Sequence, residues 1–291
     1  MDTQGDVREF LATRRARITP EQAGLPNFGG TRRVAGLRRA EVAMLAGVSP
    51  DYYTRLERGN LSGVSDSVLD AIARALQLDD AERSHLHDLA RAANTSPRSR
   101  PRRPAKPQIR PGVRSLLDAM TDAPAFVRNG RLDILAVNPL GQALYAPAFT
   151  PPARPVNLAR FCFLDPAAEA FYPDWAESAD TTVNLLRTEA GRDPYNKDLT
   201  DLIGELATRS DDFRTRWAAH NVRLHHTGVK HFQHPIIGRL DLAFEAMPLP
   251  ADPGLTLTAY SAEAGTPAHD ALRLLASWTA THATTSAPVD Q

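Results

Sequence analysis

The sequence predicts two folded parts: an all-helical one over residues 1–94 and an α+β one with an antiparallel sheet over residues 112–282. A proline-rich linker at 95–111 joins them, and a tail follows at 283–291. Three observations predict this. At 291 residues the chain exceeds the roughly 100–150 residues over which a single core usually grows. Residues 95–111, TSPRSRPRRPAKPQIRP, hold five prolines, five arginines and one lysine, with Ile109 as the sole large apolar residue. Such a segment lacks backbone donors and is costly to bury, so it reads as an extended, semi-rigid spacer, with its arginines either solvated or touching phosphates. Apolar residues before it recur at helical spacing, and those after it fall largely in short runs between turn residues.

Taken in order, the first helix covers Gln4–Arg15, with Val7, Phe10 and Leu11 on one face. Two more helices follow the central motif, Asp66–Leu76 with Leu69, Ile72, Ala73 and Leu76, and Asp80–Ala93 with Leu86, Leu89 and Ala90, stopped by Asn94 and Pro97. In the second part, Phe126-Val127 and Leu132–Val137 read as strands joined by a turn containing Asn129-Gly130, and Asn138 reads as a helix cap. Residues 165–217 carry helical spacing through Val183, Leu186, Leu199, Leu202, Ile203 and Leu206. Strands return at 222–224, 229–232, 240–246 and 255–260, and a last helix spans 268–279. The order strand, helices, strands is that of an α+β domain.

The most informative segment is Arg38–Gly59, RRAEVAMLAGVSPDYYTRLERG. Two helices crossing at a tight turn need a small residue where backbones meet, supplied by Ala43, and a glycine at positive φ, supplied by Gly47. Val42, Val48, Tyr53 and Leu56 fill the angle between them. Ser49 caps the second helix, and Pro50 takes its first position, where no amide bond is lost. This is a helix-turn-helix pattern, and it leaves Asp51, Tyr52, Thr54, Arg55 and Arg58 outward, able to enter a DNA major groove together with Ser49. Arg55 is the leading base reader, since arginine to guanine is the commonest specific contact. Tyr52 either reads a base or packs beside Tyr53, and Asp51 either accepts from cytosine or favours the helix N-terminus. Arg38 and Arg39, on the preceding helix, are candidate clamps on the phosphates.

Charge supports the same division. The formal net charge is zero, yet residues 1–110 hold 19 Lys+Arg against 13 Asp+Glu, and residues 111–291 hold 15 against 21, giving +6 and −6. One part is attracted to a polyanion and the other is repelled. No apolar stretch is long enough to span a membrane and the first ten residues lack a signal-peptide pattern, so the expected location is the cytoplasm. Cys162 is the single cysteine, which excludes intrachain disulfides and reads as a buried thiol.

The runs Gly36–Ala43 (GLRRAEVA) and Ser49–Gly59 (SPDYYTRLERG) resemble the XRE-type helix-turn-helix regulators, specifically their MmyB-like branch. Asp122–Val127, Ala136–Asn138, Asn157–Arg160, Trp217–His220 and Lys230–Pro235 are similar to that family's C-terminal ligand-binding domain. The resemblance implies a lambda-repressor-like helical domain, a PAS-like sheet domain with a hydrophobic pocket able to hold a fatty acid, and a homodimer. The long, glycine-bearing connection from Thr19 to Leu37 departs from shorter repressors of the type. Its Arg32 and Arg33 either follow phosphate, enter a minor groove or sit in a solvated loop.

Enzyme signatures are missing: no nucleophile elbow, phosphate loop or dinucleotide fingerprint occurs, and no cofactor is expected. His220, His225, His226, His231 and His234 invite a metal, but they fall on alternating strand faces and a loop with no cysteine nearby, so no metal site is expected. The candidate ligand-lining residues are Phe126, Val137, Tyr145, Phe163, Trp175, Leu186, Trp217 and Phe244, with Arg187, His220 and Arg223 as polar groups at the pocket. The expected function is a sequence-specific repressor that binds a two-fold operator on double-stranded DNA and responds to a small apolar molecule, with a fatty acid as one candidate. The alternative is a ligand-independent dimeric regulator or scaffold whose second domain only dimerises or binds a protein.

Overall fold

The computed structural model describes residues 3–25, 34–94, 109–152, 155–219 and 227–285. Arg32, Arg33, His220, Arg223, His225, His226, the strand expected at 222–224 and residues 95–108 of the linker lie outside the described residues. Helices α1 (Thr3–Arg17), α2 (Arg39–Ala46), α3 (Pro50–Glu57), α4 (Asp66–Ala75) and α5 (Asp80–Asn94) share one core. Val7, Phe10 and Leu11 of α1 meet Val42, Tyr53, Leu56, Leu69, Ile72, Leu86 and Leu89 there. In the first turn of α5, Glu82 is buried against Arg14 at 2.8 Å and Arg17 at 3.1 Å. Gly59 follows α3 at φ +99°, and a Cβ there would lie 2.6 Å from the Gln4 carbonyl oxygen. No L side chain fits that approach.

The remaining elements are α6 (Pro111–Ala119), β1 (Ala125–Asn129), β2 (Ile134–Val137), α7 (Pro139–Leu144), α8 (Ala146–Phe149), α9 (Leu158–Leu164), α10 (Ala167–Phe171), α11 (Trp175–Arg192), α12 (Lys197–Arg209), α13 (Asp211–Ala218), β3 (Thr227–His234), β4 (Gly238–Pro248), β5 (Leu255–Ser261) and α14 (Pro267–Thr285). Five strands form one antiparallel sheet in the order β2-β1-β5-β4-β3. Register places Val127 opposite Leu257, Phe244 opposite Tyr260, and Lys230 opposite Leu242. Because successive side chains alternate, β1 serves two layers. Ala125 and Val127 pack with Leu255, Leu257 and the α6 residues Val113 and Leu117. Phe126 points the other way, into a core with Phe232, Leu242, Phe244, Tyr260, Tyr145, Phe171 and Leu275 of α14.

Local chemistry fixes the β1–β2 turn. Asn129 Oδ1 accepts from the amides of Arg131 and Asp133, each at 3.0 Å. The positive φ falls on Leu132 (+66°) and not on Gly130. Burial of the Leu132 side chain offsets the roughly 1–2 kcal/mol that this conformation costs.

By Cα proximity the chain divides into two compact units, and the division differs from contiguous domains at 1–94 and 112–282. Among the described residues, the first unit comprises α1–α5 with residues 187–201 and 215–219, and the second comprises 109–186, 202–214 and 227–285. Helix α11 is thus assigned to both, the break falling between Leu186 and Arg187. Two smaller boundaries also move. Pro111, expected to end the linker, opens α6, as a proline without an amide hydrogen can at a first helical position. The helix expected over 268–279 runs through Thr285, into the expected tail. No helix among the described residues is long and apolar enough to cross a membrane.

Candidate functional site

In the first unit α2 and α3 are joined by Gly47 at φ +67°, where an added Cβ would meet nothing within 4 Å. Conformation, not space, demands glycine there. Its amide donates to the α2 carbonyl of Met44. Ser49 has extended backbone and its Oγ accepts from the Tyr52 amide at 3.1 Å, so α3 starts with a capped turn and Pro50 inside it. Along α3 the buried residues are Tyr53, Leu56 and Glu57. Asp51, Thr54, Arg55 and Arg58, spaced i, i+3, i+4 and i+7, form the opposite stripe, exposed except for half-buried Thr54. The Arg55 guanidinium lies 4.9 Å from the Tyr52 ring centroid, so the half-buried tyrosine supports the cation from the side.

A buried carboxylate organises this unit. Glu57 is 2% exposed, and Arg15 of α1 grips it bidentately at 2.8 and 2.9 Å while donating to the Leu37 carbonyl at 2.9 Å. Arg39 of α2 donates to the same carboxylate at 2.8 and 3.0 Å. Burial pushes the Glu57 pKa up, but hydrogen bonds and charge from Arg15 and Arg39 outweigh it and hold the carboxyl below its usual range. Arg39 therefore has a role inside the fold besides the clamp expected of it. Arg38 caps the start of α2: its amide donates to Glu41 Oε2 at 2.6 Å, and its side chain stays exposed.

In the second unit the sheet and α11 line a half-open cavity of ≈ 70 Å³. Its lining mixes apolar Phe126, Leu132, Leu158, Leu185, Phe244 and Ala246 with Arg128, Lys230 and the hydroxyl residues Ser178, Thr181, Thr182, Thr258, Tyr145, Tyr172 and Tyr260, and it contains no carboxylate. Strand alternation explains Lys230, which shares its parity with inward Phe232 and His234. Its Nζ donates to Ser178 Oγ at 2.7 Å and lies 4.6 Å from the Tyr172 ring centroid. Burial pushes its pKa down to about 8, against a smaller pull from Cys162, Glu177 and Asp174. The Tyr145 and Tyr260 hydroxyls share a 2.6 Å hydrogen bond, and burial raises both, Tyr260 to about 12. Thr258 Oγ1 is buried and has no hydrogen-bond partner among the described residues.

Of the ligand candidates read from sequence, Phe126, Tyr145 and Phe244 line this cavity. The other candidates among the described residues do not, and the reason is packing. Val137 and Trp175 pack against the surrounding core. Phe163 stands edge-on to Trp175 and Phe213, whose ring centroids are 6.0 and 5.1 Å away, and Trp175 Nε1 donates to the Cys162 carbonyl at 2.9 Å. Leu186 is fully buried filler. Arg187 belongs to the first unit, where its guanidinium donates to the Trp217 carbonyl and stacks 4.2 Å from that indole. Burial lowers its pKa to about 10. Lys230, Ser178 and Thr258 are the polar residues that sequence reasoning missed. One signal was present: Lys230 is one of only three lysines among 34 basic residues. Among the described residues no group of three or more His, Cys, Asp or Glu is arranged to hold a metal. His231 pairs with Asp241 at 2.7 Å and His234 with the Ala143 carbonyl at 3.0 Å.

A comparison with curated proteins gave no match. Residues 8–86 match the family described as helix-turn-helix domain, so the capped α2–α3 pair is that of a DNA-binding unit. Residues 109–275 match the MmyB-like transcription regulator ligand binding domain, which spans the sheet and the cavity. With more than half of its length in that match and a helix-turn-helix before it, the chain belongs to the MmyB-like transcription regulators.

Proposed function

We propose that this regulator is a homodimeric, cytoplasmic repressor that binds a two-fold operator and changes its occupancy when a small, largely apolar ligand enters the cavity of a PAS-like second domain. The carrying observation is the α3 stripe of Asp51, Thr54, Arg55 and Arg58, turned outward by a capped helix whose other face is buried. In this reading Arg55, steadied by Tyr52, reads a base edge, and Ser49, Asp51, Thr54 and Arg58 complete the contact surface. Arg38 contacts phosphate, as does Arg39, whose anchoring on Glu57 leaves less side-chain freedom to lose on binding. Repression requires only occupancy, whereas activation requires a further surface for polymerase. The strand order β2-β1-β5-β4-β3 supports the PAS-like assignment, and the half-open cavity lined by apolar and polar residues supports a ligand. Fatty acids are the class the family resemblance suggests; each buried methylene contributes about 0.8 kcal/mol. A long chain needs more room than ≈ 70 Å³, so its entry requires the cavity to widen.

The test is selection of bound sequences from a random duplex library, followed by titration of the selected site. Arg55→Ala should lose about 1–3 kcal/mol at that site and relax preference at one base pair per half-site. Unchanged discrimination would overturn the assignment of α3 as the reading helix. Fatty acids that bind should shift operator affinity, and operator should shift theirs by the same factor.

A further inference from the structure

We propose that α11 is the relay by which the state of the cavity reaches the DNA-binding helices: its first half is a cavity wall, its last turn is seated on α5, and the two move as one rod. This rests on the reading of the cavity as the ligand site and names how its occupancy is transmitted. The helix runs unbroken from Trp175 to Arg192. Residues 176–190 hold neither proline nor glycine, the usual places for a kink. Ser178, Thr181, Thr182 and Leu185, spaced i, i+3, i+4 and i+7, put one face of it into the cavity lining. From Ser178 to Arg192 the rise is roughly 21 Å, so a shift of the wall is carried along the helix and not absorbed within it.

The far end is fitted without slack. Gly191 faces His85 of α5, and a Cβ there would lie 2.7 Å from His85 Cε1 and 2.8 Å from Nδ1. No side chain fits while His85 keeps its place. The ring is itself held, 5% exposed and edge-on to Phe10 of α1 with centroids 5.1 Å apart. One residue on, Arg192 Nε lies 3.4 Å from Asp88 Oδ2, a buried carboxylate that also takes Arg91 at 2.6 Å. Phe10 belongs to the core that holds Tyr53 and Leu56 of α3. At the cavity end the sheet yields less readily than the helix. Strands β1, β5, β4 and β3 are joined by backbone ladders, whereas α11 meets them through side chains, as Lys230 does on Ser178. An occupant larger than ≈ 70 Å³ therefore displaces α11 first, and the close fit of Gly191 on His85 passes that displacement to α5.

The experiment uses the full chain, a selected operator duplex and decanoate as the probe. Decanoate should shift operator affinity of the parent chain at least threefold. Gly191→Ala should cut that factor by half or more while leaving decanoate affinity within twofold. A Gly-Ser-Gly-Ser insertion between Pro104 and Ala105 should leave the factor unchanged, because the signal does not run through the linker. Leu185→Trp, which fills the cavity from α11 itself, needs no ligand: it should change hydrogen exchange in α5 at least twofold more than in α4. A factor kept by Gly191→Ala and lost on the insertion would overturn the relay and leave the ligand site standing. Failure of decanoate to bind the parent chain would count against the ligand reading alone. Leu185→Trp would then decide the relay, which an equal response of α4 and α5, or none, would overturn.

Discussion

Glu57 shows how one side chain couples three helices. Its carboxylate holds Arg15 of α1 and Arg39 of α2 from a position on α3, so the angle of the helix-turn-helix depends on a buried charge. Removing Glu57 leaves the largely buried Arg15 uncompensated, whereas the half-exposed Arg39 regains water, a loss of about 3 kcal/mol. Glu57→Gln should cost that much in urea unfolding of the full chain at pH 7. Because the folded carboxyl titrates below its ordinary value, its contribution is complete above the unfolded value near 4.3 and is lost as pH falls through the lower folded value. The gap between Glu57→Gln and the parent should therefore narrow between pH 5 and pH 3; a gap independent of pH would assign the loss to packing. Sequence patterns expose the caps and the apolar stripe of this unit because those depend on neighbours a few residues away. Glu57 carries no such local mark: its partners stand 42 and 18 residues earlier, and its burial follows only from the assembled bundle.

Among elements, the β1 to α7 corner rests on Asn138. Its Oδ1 accepts from Gly141 at 2.7 Å, capping α7, and from Ala125 at 3.0 Å, opening β1; its Nδ2 donates to the carbonyls of Met120 and Ala123 at 2.6 and 2.8 Å. Asn138→Ala strands four backbone groups at once and should destabilise the second unit by about 2–4 kcal/mol, whereas Asn138→Asp, which keeps the acceptor, should lose less. Denaturant midpoints of the two variants check the order. The cap was legible in the sequence because Asn before Pro139 has a local meaning. The strands were legible too, apart from their ends, since alternation and turn residues mark them. The cavity was not. Its lining gathers from β1, β3, β4, β5 and α11, and an apolar pattern cannot tell a ring that borders space from one that fills it. Phe126 and Phe163 look alike in sequence, yet one lines the cavity and the other is wedged between Trp175 and Phe213. The α6 helix was missed because Val113 and Leu117, one turn apart, are its only buried anchors.

For the whole molecule, the proposed reading helix is only eight residues long and would contact too few base pairs to select a genomic site, so two copies should act together. Light scattering of the full chain should return twice its 31.8 kDa, and footprinting should show two protected stretches about one helical turn, ~34 Å, apart, or a multiple of it. A monomer that protects a single stretch would exclude the two-fold operator. The opposed charges of residues 1–110 and 111–291, +6 and −6, should also make operator affinity fall steeply with salt. The division of α3 into a buried and an outward stripe bears on how such regulators diversify. Asp51, Thr54, Arg55 and Arg58 can be exchanged at little cost in stability, whereas Tyr53, Leu56 and Glu57 are tied to the bundle. On the proposed reading, address and architecture are written on opposite sides of the same two turns, so new operators would be reachable by mutation without passing through unfolded intermediates, and a small combinatorial library at those four positions is a rational route to redirecting the protein.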